Sequence, residues 1–96
     1  MKAQHTYESN GIRWLLALED QQVQVFCDGM MRSYDIAETV TEFKADNDYV
    51  YIYVRHPEVK FYQFKFEADR FLVADVFDTE DQHIGEFACH VFGDEV

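Results

Sequence analysis

Apolar and polar residues alternate along most of this chain, and few stretches repeat at helical spacing. In "GIRWLLALED", Ile12, Trp14, Leu16 and Leu18 share one parity and Arg13, Leu15, Ala17 and Glu19 the other. Successive strand side chains point to opposite faces, so this pattern predicts a strand at about 11–19. It follows the turn pair Asn10-Gly11. Val23, Val25 and Cys27 then alternate with Gln22, Gln24 and Phe26, and Asp28-Gly29 follows at once. That dipeptide supplies the two positive φ angles of a type I′ turn, so strands at about 21–27 and 30–36 form a predicted hairpin around it.

Residues 35–47 support two readings. As a helix, Asp35 is the N-cap and Glu38 completes a capping box, with Ile36, Val40 and Phe43 on one face and Asn47 as a stop. As a strand, Thr39, Val40, Thr41 and Phe43 favour extended backbone, although their alternation is poor. The capping pattern tips the expectation to a short helix over 35–46, with a strand as the alternative.

From residue 49 onward the pattern is strand-like at 49–55, 59–67, 70–77 and 84–92. "YVYIYV" separates Tyr49, Tyr51 and Tyr53 cleanly from Val50, Ile52 and Val54. Pro57 cannot donate to a ladder, so "RHPE" is a turn. Closing Val54 on Val59 pairs Ile52 with Phe61, Tyr53 with Lys60 and Tyr51 with Tyr62. The next turn, "EADR", closes Glu67 on Arg70 as an opposite-charge pair. In this register one face carries Val50, Ile52, Val54, Val59, Phe61, Leu72, Ala74 and Val76. The other carries Tyr49, Tyr51, Tyr53, Tyr62, Phe64, Phe66, Phe71, Val73 and Phe77, with Lys60 and Asp75 among them. Lys60 is expected to lie over the Tyr53 ring. For the last strand, pairing Phe77 with Ile84 sets Asp75 against Glu86, a like-charge pair. A slip of one residue avoids that but exchanges the faces of 84–92, and both registers stay open.

A solvated face of an antiparallel sheet should read polar, and this aromatic one does not. Three coverings are available: a curled barrel or sandwich, the 35–47 segment packed across the face, or an interface. The expectation divides the face. The phenylalanines are covered internally, and Tyr49, Tyr51, Tyr53, Lys60 and Tyr62 form an interaction surface that makes a homodimer or meets a partner.

The elements sum to a single small globular domain over residues 1–96. Its predicted class is mainly β, or α+β if 35–46 is helical. It is a strongly twisted antiparallel β-meander of about six to eight strands, barrel- or sandwich-like, with at most one short helix. The composition supports a packed core: of 96 residues, 48% are apolar and 17% aromatic, which disordered chains lack.

Charge narrows the partners. The net charge is −11, and residues 67–96 hold nine acidic residues against Arg70 alone. Such a field repels phosphate backbones and anionic membranes, so neither direct nucleic-acid binding nor membrane binding is expected. It permits a basic protein partner, with Asp78, Glu80, Asp81, Glu86, Asp94 and Glu95 as the acidic docking surface. The start of the chain has no apolar leader core, and no apolar run reaches about 20 residues. A cytoplasmic location is therefore expected, with Cys27 and Cys89 as free thiols in buried structural positions.

Catalytic and metal signals are weak. His83, Cys89 and His90 are close in sequence, but Cys89 and His90 are adjacent and point to opposite faces of a strand. No C-x-x-C or H-x-x-x-H occurs, and the loop from Asp78 lacks the sixth-position Gly and twelfth-position Glu of an EF-hand. No Gly-rich phosphate loop is present. Asp75 among aromatics, with Tyr62 opposite, is a conceivable acid/base group, commoner as a plain hydrogen-bonded pair. No metal, cofactor or catalytic residue is predicted. The expected function is a non-enzymatic acidic protein-interaction module, of the inhibitor or immunity type, docking on a basic surface. The alternative is a small-ligand binder with an aromatic-lined cavity in a curled sheet. An enzyme using Asp75, His83 or His90 is the third reading.

Overall fold

The structure, a computed structural model, describes residues 1–93. It is all β among those residues: β1 (Lys2–Ser9), β2 (Ile12–Glu19), β3 (Gln22–Cys27), β4 (Met30–Asp35), β5 (Thr39–Ala45), β6 (Tyr49–Arg55), β7 (Phe61–Glu67), β8 (Phe71–Phe77) and β9 (His83–Val91). The chain meanders through two antiparallel sheets, β1-β2-β3-β4 and then β5-β6-β7-β8-β9. The two stack into a sandwich whose core lies between them.

The first sheet follows the alternation closely. Trp14, Leu16, Leu18, Val23, Val25 and Cys27 are all buried on its inner face. Asp28 and Gly29 both adopt positive φ, as the hairpin turn requires. The expectation missed β1. Its eight residues have too few large apolar side chains to declare a strand, yet they pair with β2 along their full length.

The 35–46 segment is not a helix. Ile36 is buried between the sheets, and Gln21 Nε2 reaches the carbonyls of Ile36, Ala37 and Glu38 at 3.1, 3.1 and 2.8 Å. Those bonds hold the sheet-to-sheet connection extended. The β-branched run Thr39–Thr41 then enters β5, where Phe43 faces Ile52 and a bulge lies between Val40 and Glu42. The bulge explains the poor alternation.

Both turns flanking β7 are one residue longer than predicted. Tyr53 pairs with Phe61, Ile52 with Tyr62 and Val50 with Phe64. His56 Nδ1 accepts hydrogen bonds from the Glu58 and Val59 amides at 3.0 and 3.2 Å, which builds the wider loop. At the other end Asp69 and Arg70 take positive φ, and Glu67 pairs with Phe71 rather than Arg70. A one-residue slip exchanges the faces of a strand. β7 is therefore inverted: Tyr62, Phe64 and Phe66 turn into the core, and Phe61 turns out. The second slip cancels the first, so Leu72, Ala74 and Val76 of β8 face inward as expected.

Side chains then join the sheets. Phe66 stacks on Trp14 at 4.8 Å between ring centroids, and Phe92 meets Trp14 edge-on at 5.2 Å. Tyr34 shares a 2.7 Å hydrogen bond with His90 Nδ1, and Tyr62 donates one of 2.6 Å to Glu38. Arg70 Nε bonds Asp28 Oδ2 at 2.7 Å, tying one turn of each sheet together. No helix among the described residues is long and apolar enough to cross a membrane.

Candidate functional site

The outer face of the five-stranded sheet is the candidate site. Tyr49, Tyr51 and Tyr53 project from β6, Phe61 from β7 and Phe77 from β8, and no further layer of described residues lies over them. The rings touch in sequence. Tyr49 and Tyr51 lie 6.0 Å apart, Tyr51 and Phe61 5.8 Å, Tyr53 and Phe61 5.2 Å. Phe61 and Phe77 are stacked at 4.9 Å, and Phe77 meets the His83 ring at 5.4 Å. Phe61 points outward yet is only 8% exposed, because its neighbours' rings enclose it. The result is one continuous aromatic strip across four strands, with half-buried tyrosines.

Cations already rest on this strip. Lys44 Nζ lies 5.4 Å from the Tyr53 centroid and Lys65 Nζ 5.6 Å from that of Tyr49. A ring face is electronegative at its centre, so it attracts ammonium and guanidinium groups. Lys60, predicted to cover Tyr53, instead bonds Asp81 Oδ1 at 2.9 Å. That bond holds its ammonium above the ordinary lysine range. Tyr62 does not belong to the face at all. It is 5% exposed in the core, where burial and the Glu38 bond push its phenol upward.

The acidic residues assemble beside the strip. Asp78 Oδ1 accepts the amides of Glu80 and Gln82, both at 2.9 Å, and so shapes the loop between β8 and β9. Glu80 and Asp81 are exposed at its tip. Of the two registers left open, Asp75 and Glu86 do sit opposite each other as a like-charge pair, while Phe77 pairs with His83 rather than Ile84. Bulges on either side of this stretch and a 2.9 Å contact from His83 Nε2 to Asp75 Oδ1 accommodate the like-charge pair. Tyr49, Tyr51, Tyr53 and Lys60 of the predicted aromatic set and the loop carboxylates Asp78, Glu80 and Asp81 of the acidic set thus share one surface, joined where Lys60, Asp81 and Phe77 meet. Asp94 and Glu95 lie outside the described residues.

The other candidates separate. Asp75 and His83 are together, but His90 points to the opposite face and bonds Tyr34. Tyr62 is not opposite Asp75; Gln63 is. Cys27 is buried, and desolvation, with Asp28 beside it, pushes its thiol up to about 11. Cys89 is exposed on the outer face of β9, not buried as expected. Among the described residues no group of three His, Cys, Asp or Glu side chains is placed to hold a metal ion. The interior is filled by Phe64 and Phe66, and a hollow of about 230 Å³ lies at one end beside Tyr7, Trp14 and Phe66. Sequence reasoning missed Phe61 and Phe77 as members of the site. Only the loop lengths, which fix the register, could have revealed Phe61.

No known protein family, curated protein or solved structure matches the chain.

Proposed function

We propose that this chain is a non-enzymatic protein-interaction module whose working surface is the aromatic strip with its acidic border, and that its partner is a basic protein surface. The single observation that carries this reading is the contiguity of the two sets. Tyr49, Tyr51, Tyr53, Phe61 and Phe77 run directly into the loop of Asp78, Glu80 and Asp81. Both halves select the same chemistry. Ring faces attract guanidinium and ammonium groups, and exposed carboxylates pair with them. The net charge of −11 steers such a partner from a distance. Lys44, Lys65 and Lys60 occupy three of these positions from within the chain, as stand-ins for incoming basic side chains. Aromatic residues are also the type enriched at the centres of interfaces. An inhibitor or immunity-type role is the corresponding biological setting, by analogy from charge alone. The cavity-binding reading has less support, since Phe64 and Phe66 fill the space it needs.

The test is binding of a synthetic arginine-rich peptide, followed by fluorescence anisotropy across a salt series. Affinity should fall at least about tenfold between about 50 and about 500 mM NaCl, where charge is screened. Tyr53→Ala and Phe77→Ala should each weaken binding without changing the salt slope. Affinity that ignores salt, or that ignores both substitutions, overturns the reading.

A further inference from the structure

The four-stranded sheet carries a second feature that the aromatic surface does not use. β1 is an edge strand, hydrogen-bonded to β2 alone. Edge strands are ordinarily protected by bulges, proline or shortness. β5 has a bulge, β9 has two register shifts, and β4, in unbroken register, is the shortest of the four edges at six residues. β1 has neither bulge nor proline, and it runs for eight residues in unbroken register.

The backbone dictates how a partner strand would meet it. The Asp20 amide bonds the Met1 carbonyl, so the odd-numbered residues of β1 direct their peptide groups to β2. Lys2, Gln4, Thr6 and Glu8 therefore direct theirs to the open edge. In an antiparallel pairing with a second β1, hydrogen-bonded pairs can form only between even-numbered residues. Two registers overlap by seven residues under this rule, and the one that forms four hydrogen-bonded pairs rather than three sets Lys2 opposite Glu8, Gln4 opposite Thr6, and His5 opposite itself on the two-fold axis. The charges select the same register, since it places a lysine and a glutamate together at both ends.

His5 supplies the third observation. It points to the inner side of the sheet, in line with Leu16. Its Nε2 is the one buried side-chain polar atom without a hydrogen-bond partner among the described residues. Buried polar atoms are nearly always paired. At the axis, side chains of non-hydrogen-bonded pairs are at their closest. Nε2 is enclosed by the chain's own atoms in the single copy, so pairing at the axis turns each half-buried imidazole toward the open edge, where one donates and the other accepts.

We infer that the chain forms a two-fold dimer by pairing β1 with the β1 strand of a second copy, joining two four-stranded sheets into one continuous sheet. The aromatic strip lies on the other sheet and is left open in both copies. This inference is independent of the basic-partner reading, because the two surfaces do not overlap.

The test is sedimentation equilibrium at micromolar concentration. The wild-type chain should be a dimer. Thr6→Pro removes an outward amide and leaves every bond to β2 in place, so it should be a monomer with an unchanged circular dichroism spectrum. Lys2→Glu and Glu8→Lys should each dissociate at least about tenfold more readily, since each sets like charges at both ends. Mixing the two variants should restore the dimer, because only the mixed pair sets opposite charges at both ends. A monomeric wild type overturns the inference. So does a dimer that survives Thr6→Pro but is lost in Tyr51→Ala, which would place the contact on the aromatic face.

Discussion

At the scale of single residues, the inward positions of the first sheet are dictated by alternation alone: Trp14, Leu16, Leu18, Val23, Val25 and Cys27. Tyr62 is the instructive failure. Its side chain is equally suited to a wet face and a core with a partner, and its partner, Glu38, is 24 residues away. Nothing local announces that bond. Removing the hydroxyl with Tyr62→Phe leaves the Glu38 carboxylate without its donor. It should cost about 2 kcal/mol, as a hydrogen bond to a charged group does, measured by urea unfolding. Three buried acids also set an alkaline limit. Cys27 rises from 9.0 to about 11, Tyr34 from 10.0 to about 12, and Tyr62 also rises, each chiefly through burial. All three fold as neutral groups. Their contribution is intact below the unfolded values and is lost as pH climbs through the folded ones. Stability should therefore fall progressively from pH 9 to 12, and Cys27→Ala should flatten the portion between 9 and 11. A stability curve that is level over this window would contradict the burial of these groups.

At the scale of elements, strand identity was legible wherever alternation was clean, and strand register was not. Register depends on loop length, and loop length here depends on side chains. His56 acts as an acceptor for two amides, and Arg70 is drawn out to Asp28. Each lengthens its turn by one residue relative to the tightest closure, and β7 inverts in consequence. The segment around Glu38 misled for a related reason. Its capping-box residues are used by the other sheet and by Tyr62, so the local helix signal is outcompeted by tertiary bonds. The Asp28-Gly29 turn is the converse case, in which the dipeptide alone specifies the element. Gly29 sits at φ +82 with nothing within 4 Å of an added Cβ. Gly29→Ala should thus cost about 1 kcal/mol through backbone strain alone, with no change in the packing of Met30. Thermal unfolding of the variant checks this, and an unaltered midpoint would contradict the left-handed turn.

At the scale of the whole molecule, the two sheets divide the work. The first supplies the inner wall of the core and an unguarded edge at β1. The second supplies the other wall and, on its outer side, the aromatic strip and acidic loop. Charge asymmetry and an excess of aromatics were readable from the sequence. Their meeting on one surface was not, because it depends on the inverted β7 carrying Phe61 outward between Tyr53 and Phe77. On the proposed function, this outer surface receives a basic partner. The most direct measurement is residue-resolved NMR of the amide-labelled chain, titrated with an arginine-rich peptide at low salt and again at high salt. Shifts should concentrate on Tyr49, Tyr51, Tyr53, Phe61, Phe77 and Asp78 to Asp81, and should disappear as salt is raised. Shifts spread evenly over both sheets, or centred on β1 to β4, would contradict it.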